Sequence, residues 1–140
     1  NGNVSVYCTA KVNSQGCTPS IGWSGTPSAS AGSGFAITAM KIVAMKLGIL
    51  AYSKTGPAAT PFQGGIWCSV GPFVRTPVRY SGGSAGCSGS LGIDFNAWVA
   101  SGADPALVAG AQVWAQWWYR DPASPSTTGL TDALTATLCP

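Results

Sequence analysis

Glycine or proline interrupts this chain every few residues: 19 glycines and 10 prolines are spread over 140 residues. Both residue types break the interior of regular elements and supply turns. Between them lie short runs rich in Val, Ile, Thr and aromatic residues, the pattern of an all-β sandwich or barrel. The expected fold is an all-β, antiparallel β-sandwich, jelly-roll or immunoglobulin-like, with long Gly/Ser/Pro loops and disulfides. One domain over residues 1–140 has enough chain to bury a core, and no internal repeat is present.

The clearest alternation is at the start. Val4, Val6, Cys8, Ala10 and Val12 alternate with Asn3, Ser5, Tyr7, Thr9 and Lys11, which predicts a strand with one buried and one exposed face. Residues 13–34, dominated by Ser, Gly, Pro and Ala, read as a loop. Residues 35–53 fit a helix about as well as two strands; the β-rich surroundings favour a hairpin turning at Lys46-Leu47-Gly48. A strand is expected over residues 65–70, then an extended segment over 73–80, where Pro72 and Pro77 indicate a sheet edge. After a loop over 81–89, Leu91, Ile93 and Phe95 alternate again, ahead of a helical turn over 96–101. The last strands are placed at 108–119 and 132–138, separated by a loop over 121–129. Residues 35–52 are the best candidate for a membrane span. Lys41 and Lys46 lie inside it, each costing about 2.5–3.5 kcal/mol near the bilayer centre, so no span is expected.

Charge is scarce. Seven Lys and Arg and four acidic residues, all Asp, make up 8% of the chain, and there is no histidine; about 25% is usual. The cations Lys11, Lys41, Lys46, Lys54, Arg75, Arg79 and Arg120 are scattered, whereas phosphate neutralisation needs them clustered. Nucleic-acid binding is therefore not expected. The five cysteines form no C-x-x-C pair and have no histidine to join them, which argues against zinc and for disulfides in an oxidising compartment. Pairing Cys8 with Cys17 and Cys68 with Cys87 closes short loops, other pairings remaining open, and leaves Cys139 unpaired or intermolecular. Asn1-Gly2-Asn3 begins like a mature terminus rather than a signal peptide, and Asn3-Val4-Ser5 matches an N-glycosylation sequon.

The means of catalysis are few. A Ser or Cys nucleophile needs a neighbouring base, and the carboxylates are Asp94, Asp104, Asp121 and Asp132 alone. Asp104 and Asp121 precede prolines and suit turn initiation. Asp132 is expected at a strand entrance and Asp94 on the outward face of its strand. No acidic loop has calcium-binding spacing. The expectation is a non-enzyme with no metal and no cofactor.

The strongest local signal is residues 111–119. With a period of two, Ala111, Val113, Ala115, Trp117 and Tyr119 face one way, and Gln112, Trp114, Gln116 and Trp118 the other. A face of alternating amide and indole suits a sugar ring or the dry centre of a subunit interface; it also suits a core covered by loops. Trp23, Trp67 and Trp98 are expected on or beside loops or outward strand positions, where together they would form apolar patches that monomers rarely leave open.

Tyr7-Cys8-Thr9-Ala10-Lys11-Val12-Asn13-Ser14 and Gly16-Cys17-Thr18-Pro19 open a set of motifs. It continues with Thr60-Pro61-Phe62-Gln63-Gly64-Gly65, Arg75-Thr76-Pro77, Cys87-Ser88-Gly89 and Asp94-Phe95-Asn96, and ends with Gln116-Trp117-Trp118, Arg120-Asp121-Pro122 and Leu130-Thr131-Asp132-Ala133-Leu134. The set resembles a domain that recurs, often C-terminally, in large secreted bacterial proteins and has no assigned activity. The resemblance implies a β-rich module that is secreted, extracellular or at the cell surface. Where such domains tend to carry polar residues, this chain has Met40-Lys41-Ile42-Val43-Ala44-Met45, and Trp23, Trp67, Trp98 and Trp114 replace smaller side chains. These departures add apolar surface. The function expected is a structural subunit that self-associates into a fibre, filament or layer, with Met40, Ile42, Met45 and the tryptophans as contacts. The alternative is a carbohydrate-binding or adhesive module using the Gln112/Trp114/Gln116/Trp118 face, with a polysaccharide as partner.

Overall fold

A computed structural model describes residues 4–140; Asn3, with its glycosylation reading, lies outside them. In chain order the elements are β1 (Val4–Tyr7), β2 (Ser20–Gly25), β3 (Phe35–Ile42), β4 (Leu47–Ser53), β5 (Pro57–Phe62), β6 (Gly65–Ser69), β7 (Phe73–Arg75), β8 (Arg79–Tyr80), β9 (Gly89–Asp94), α1 (Phe95–Ala100), β10 (Gln112–Arg120) and β11 (Thr128–Thr137). The fold is all-β and antiparallel. Five strands run in the order β1-β11-β10-β4-β7, with β8 as a sixth beside β4; β2-β3-β9 form a second sheet and β5-β6 a hairpin.

The two larger sheets share one core. Phe35, Ile37 and Ala39 from β3, and Leu91 and Ile93 from β9, meet Leu50 and Tyr52 from β4 and Val113, Ala115, Trp117 and Tyr119 from β10. Each large side chain buried here contributes about 1.5–3 kcal/mol. The expected period of two in β10 is present, and its odd-numbered face is wholly buried. The proline-flanked segments β7 and β8 lie at the sheet edge beside β4, as expected.

Four local expectations are corrected. The first strand stops at Tyr7, because Cys8 has φ 72° and turns the chain away. Val6 pairs with Leu134, yet it is 41% exposed, on the terminal strand of its sheet. Residues 35–53 form two strands but no hairpin: β3 and β4 enter different sheets, so both apolar faces reach the same core. The expected 13–34 loop contains β2, whose composition hides a strand paired along β3. Gly25 closes that pairing at φ 84°, where a Cβ would sit 1.8 Å from the Gly34 carbonyl oxygen.

Ile42 is also corrected. Period two would put it outside with Met40, but the β3–β9 register shifts between them, and Lys41 at φ 59° absorbs the extra residue. Ile42 is 0% exposed and belongs to the core, whereas Met40 and Met45 are 55% and 53% exposed.

The cystines join Cys8 to Cys68 and Cys17 to Cys87, closing separations of 60 and 70 residues rather than the short loops expected. Cys139 is the free cysteine and is buried. No helix among the described residues is long and apolar enough to cross a membrane.

Candidate aromatic groove

The outer face of β10 carries the amide and indole row. Its four members have different fates. Gln112 is exposed and donates to Thr135 Oγ1 at 3.0 Å. Gln116 is 1% exposed and fully engaged: its Nε2 donates to the carbonyls of Ile66 and Thr131, and its Oε1 accepts from the Cys68 N–H. Gln116 therefore pins the β5–β6 hairpin across this face and is closed to a ligand. Trp114 and Trp118 are half-buried.

Other contacts hold the hairpin in place. Its turn, Gln63-Gly64, has φ 48° and 78°, the paired positive values that a two-residue type I′ hairpin requires. Gln63 Oε1 accepts from Trp118 Nε1 at 3.2 Å and from Thr128 Oγ1. Lys11 Nζ donates to the Gln63 and Thr128 carbonyls and to Ser124 and Ser126, all neutral oxygens. At the other end the Cys8–Cys68 cystine and the hydrogen bond from the Tyr7 hydroxyl to the Cys68 carbonyl tie β6 to the end of β1. Burial pushes the Tyr7 phenol up to about 12.

Between hairpin and sheet lies a groove of about 510 Å³, within the ~300–1,000 Å³ of ligand sites. Phe62, Trp67, Phe73 and Trp118 line it. The rings meet edge to face, Phe62–Trp67 at 5.6 Å, Phe62–Trp118 at 6.2 Å and Trp67–Phe73 at 5.3 Å between centroids. The Arg75 guanidinium lies over the Trp118 ring, 5.7 Å from its centre. Thr60 and Ser69 supply hydroxyls, and no lining residue is acidic. A second groove of about 200 Å³ lies against Trp118 too, lined by Leu47, Ile49, Val78 and Arg120.

Of the contact residues expected from sequence, Trp67 and Trp118 line the larger groove. Trp114, Trp23, Met40 and Met45 do not. Trp98 packs against the core and donates through Nε1 to the Tyr52 hydroxyl. Sequence reasoning missed Phe62, Phe73, Thr60 and Arg75. For Thr60, Phe62 and Arg75 the signal was present in two motifs, Thr60-Pro61-Phe62-Gln63-Gly64-Gly65 and Arg75-Thr76-Pro77; Phe73 lies outside both.

The aspartates serve the scaffold. Asp94 caps α1 through the Ala97 N–H and also accepts from Gly34 and Phe35. Burial pushes its carboxyl up, but those backbone donors outweigh the effect and hold it low. Asp121 begins a turn and accepts from the Ser14 N–H and hydroxyl. Asp132 sits within β11 rather than at a strand entrance, and accepts from the Ile21 N–H at 2.7 Å; burial pushes it up. Asp104 accepts from Tyr52 and pairs with Lys54. No group of three His, Cys, Asp or Glu among the described residues is placed to hold a metal.

The Asp104 cluster carries a pH signature. Burial pushes its carboxyl up, but the Lys54 and Tyr52 hydrogen bonds, the Ala106 N–H and the Lys54 charge outweigh it and hold the group below the usual range. A folded pKa below the unfolded value of about 3.9 gives stabilisation that is present above that value and is lost as pH falls through the folded pKa. Asp104→Asn is expected to lower the melting temperature at pH 7 and to change it little at pH 2, measured by circular dichroism.

No family model, curated protein or solved structure matches this chain.

Proposed function

We propose that this chain is a non-catalytic extracellular module that binds carbohydrate in the aromatic groove. The observation that carries the reading is the convergence of Phe62, Trp67, Phe73 and Trp118 on one open groove. Indole and phenyl rings offer flat apolar area to the C–H face of a sugar, and the Thr60 and Ser69 hydroxyls and Arg75 supply a few polar contacts, the usual make-up of a ligand site. The site is displaced from the Gln112/Trp114/Gln116/Trp118 row, since Gln116 is occupied internally. The two disulfides support an oxidising compartment, and the resemblance to a domain of secreted bacterial proteins supports an extracellular one.

Affinity electrophoresis through gels containing different polysaccharides tests the site. Trp118→Ala is expected to weaken retardation at least tenfold, about 1.4 kcal/mol, and Trp114→Ala to leave it within twofold. Loss with Trp114→Ala alone would return the site to the original row, and an absence of any retardation would remove the reading.

A second reading, self-association into a fibre, filament or layer, is favoured by the exposed Met40, Met45, Val12, Val108 and Tyr80, apolar side chains that a neighbouring copy would cover. It ranks below the first because none of these side chains lines the aromatic groove. Sedimentation decides it: a strict monomer at high concentration would rule out assembly.

A further inference from the structure

We propose that the groove's ligand is an acidic polysaccharide, with sugar rings on the Trp118 side and carboxylates or sulfates on Arg75 and Arg120. The inference rests on the carbohydrate reading and narrows it to an anionic polymer.

Charge carries the argument. All four aspartates accept hydrogen bonds within the fold: Asp94 from backbone N–H groups, Asp104 from Lys54 and Tyr52, Asp121 from Ser14 and Asp132 from Ile21. Among the described residues Lys54–Asp104 is the one ion pair. Lys11, Lys41, Lys46, Arg75, Arg79 and Arg120 are thus left without a carboxylate partner, and seven cations against four aspartates leave a net charge of +3. Low total charge had concealed this one-sidedness.

Two of those cations flank the grooves. Arg75 lies on Trp118 at the larger groove, and Arg120, two residues beyond Trp118 on the same strand face, lines the smaller one. Arg75 pairs with Ala51, which pairs with Gln116. Arg120 is therefore four residues along and two strands across from Arg75, a backbone separation on the order of 17 Å. The two arginines serve adjoining grooves that share Trp118, so a polymer with repeated acid groups can engage both at once.

The occupant is distinguished from other anions by the floor of the site. Ala51 and Trp118 belong to β4 and β10, which are paired on both sides, so the floor of the groove, unlike β7 and the β5–β6 hairpin at its sides, offers no edge for a peptide to add a strand. The rings meet at 62° to 89°, unlike the successive platforms on which bases stack, and two arginines are fewer cations than a phosphate backbone engages.

The full chain is titrated by calorimetry with polygalacturonate, alginate and chondroitin sulfate, with fully methyl-esterified galacturonan as the neutral counterpart, and with a single-stranded DNA oligonucleotide. At least one acidic polymer is expected to bind ten times more tightly than the methyl ester, and to weaken as salt rises. Arg75→Gln and Arg120→Gln are each expected to weaken that binding about fivefold, Arg75→Lys retains part of it, and Arg120→Gln, outside the larger groove, leaves the methyl ester unaffected. Equal affinity for the methyl ester, lost in Trp118→Ala and unchanged in Arg120→Gln, overturns the acidic ligand while keeping the carbohydrate site. Binding of no glycan overturns both. Tighter binding of the oligonucleotide than of any acidic glycan overturns both in favour of nucleic acid.

Discussion

Replacing Cys17 and Cys87 together with serine is expected to lower the melting temperature by about 14 °C. The bridge spans a separation of 70 residues, and the loss of loop entropy that such a closure imposes on the unfolded chain is worth about 4 kcal/mol. Unfolding entropy near the transition, at about 2.1 cal/mol/K per residue, turns that into the stated shift for 140 residues. The Cys8–Cys68 bridge, with a separation of 60 residues, gives nearly the same figure. Total stability is about 5–15 kcal/mol for a typical domain, so full reduction removes much of it.

The two bridges differ in what they hold. Cys17–Cys87 joins the segment after β1 to the loop before β9, while Cys8–Cys68 anchors the β5–β6 hairpin that walls the groove. Both serine pairs are expected to melt alike, but glycan retardation is expected to weaken in the Cys8/Cys68 pair alone. A shift of less than about 3 °C in either pair contradicts the loop-entropy argument. Tryptic mapping without reduction checks the pairing directly. It should link the peptide ending at Lys11 to the one ending at Arg75, whereas a Cys8–Cys17 bridge would link the peptides on either side of Lys11.

That difference in pairing shows where sequence reasoning stops. Loop length alone favours Cys8–Cys17, because nothing in the linear pattern says that β6 returns to lie beside the end of β1. The punctuation by glycine and proline was enough for an all-β fold. The period in β10 was legible because β11 and β4 pair with it along most of its length, so its alternation has two uniform sides. Ile42 was misplaced because a single bulge at Lys41 inverts the alternation there. β2 was missed because its strand character comes from pairing with β3, not from its Ser, Gly and Trp composition. The groove was only half legible: Trp67 and Trp118 stood out as tryptophans, while Phe62, Phe73 and Arg75 acquire meaning only when the hairpin folds over the sheet.

Gln116→Ala is expected to cost about 3 kcal/mol and about 10 °C in melting temperature, whereas Gln112→Ala stays within about 0.5 kcal/mol. The two residues are equivalent in the strand period and four positions apart, so the contrast isolates what covers them. Removing the Gln116 amide takes away the acceptor of the Cys68 N–H and the donor to the Ile66 and Thr131 carbonyls, and each buried group left unpaired costs about 1–3 kcal/mol. Gln116→Leu separates this from a packing effect. It fills the volume without restoring a hydrogen bond, so it should be as damaging as alanine if the polar contacts dominate, and should recover stability if the cavity does. Hydrogen exchange adds a local reading: the Cys68 amide, protected in the parent chain, should exchange quickly in both variants while the core strands β10 and β11 remain slow. Equal melting temperatures for Gln112→Ala and Gln116→Ala would mean that the Gln116 amide adds nothing to the hold of the cystine and of the Gln63, Lys11 and Tyr7 contacts on the hairpin. If the difference appears, a glutamine that looked like half of a sugar platform is instead the internal clasp of the wall carrying Phe62 and Trp67, and its loss should abolish glycan binding without touching a residue of the groove.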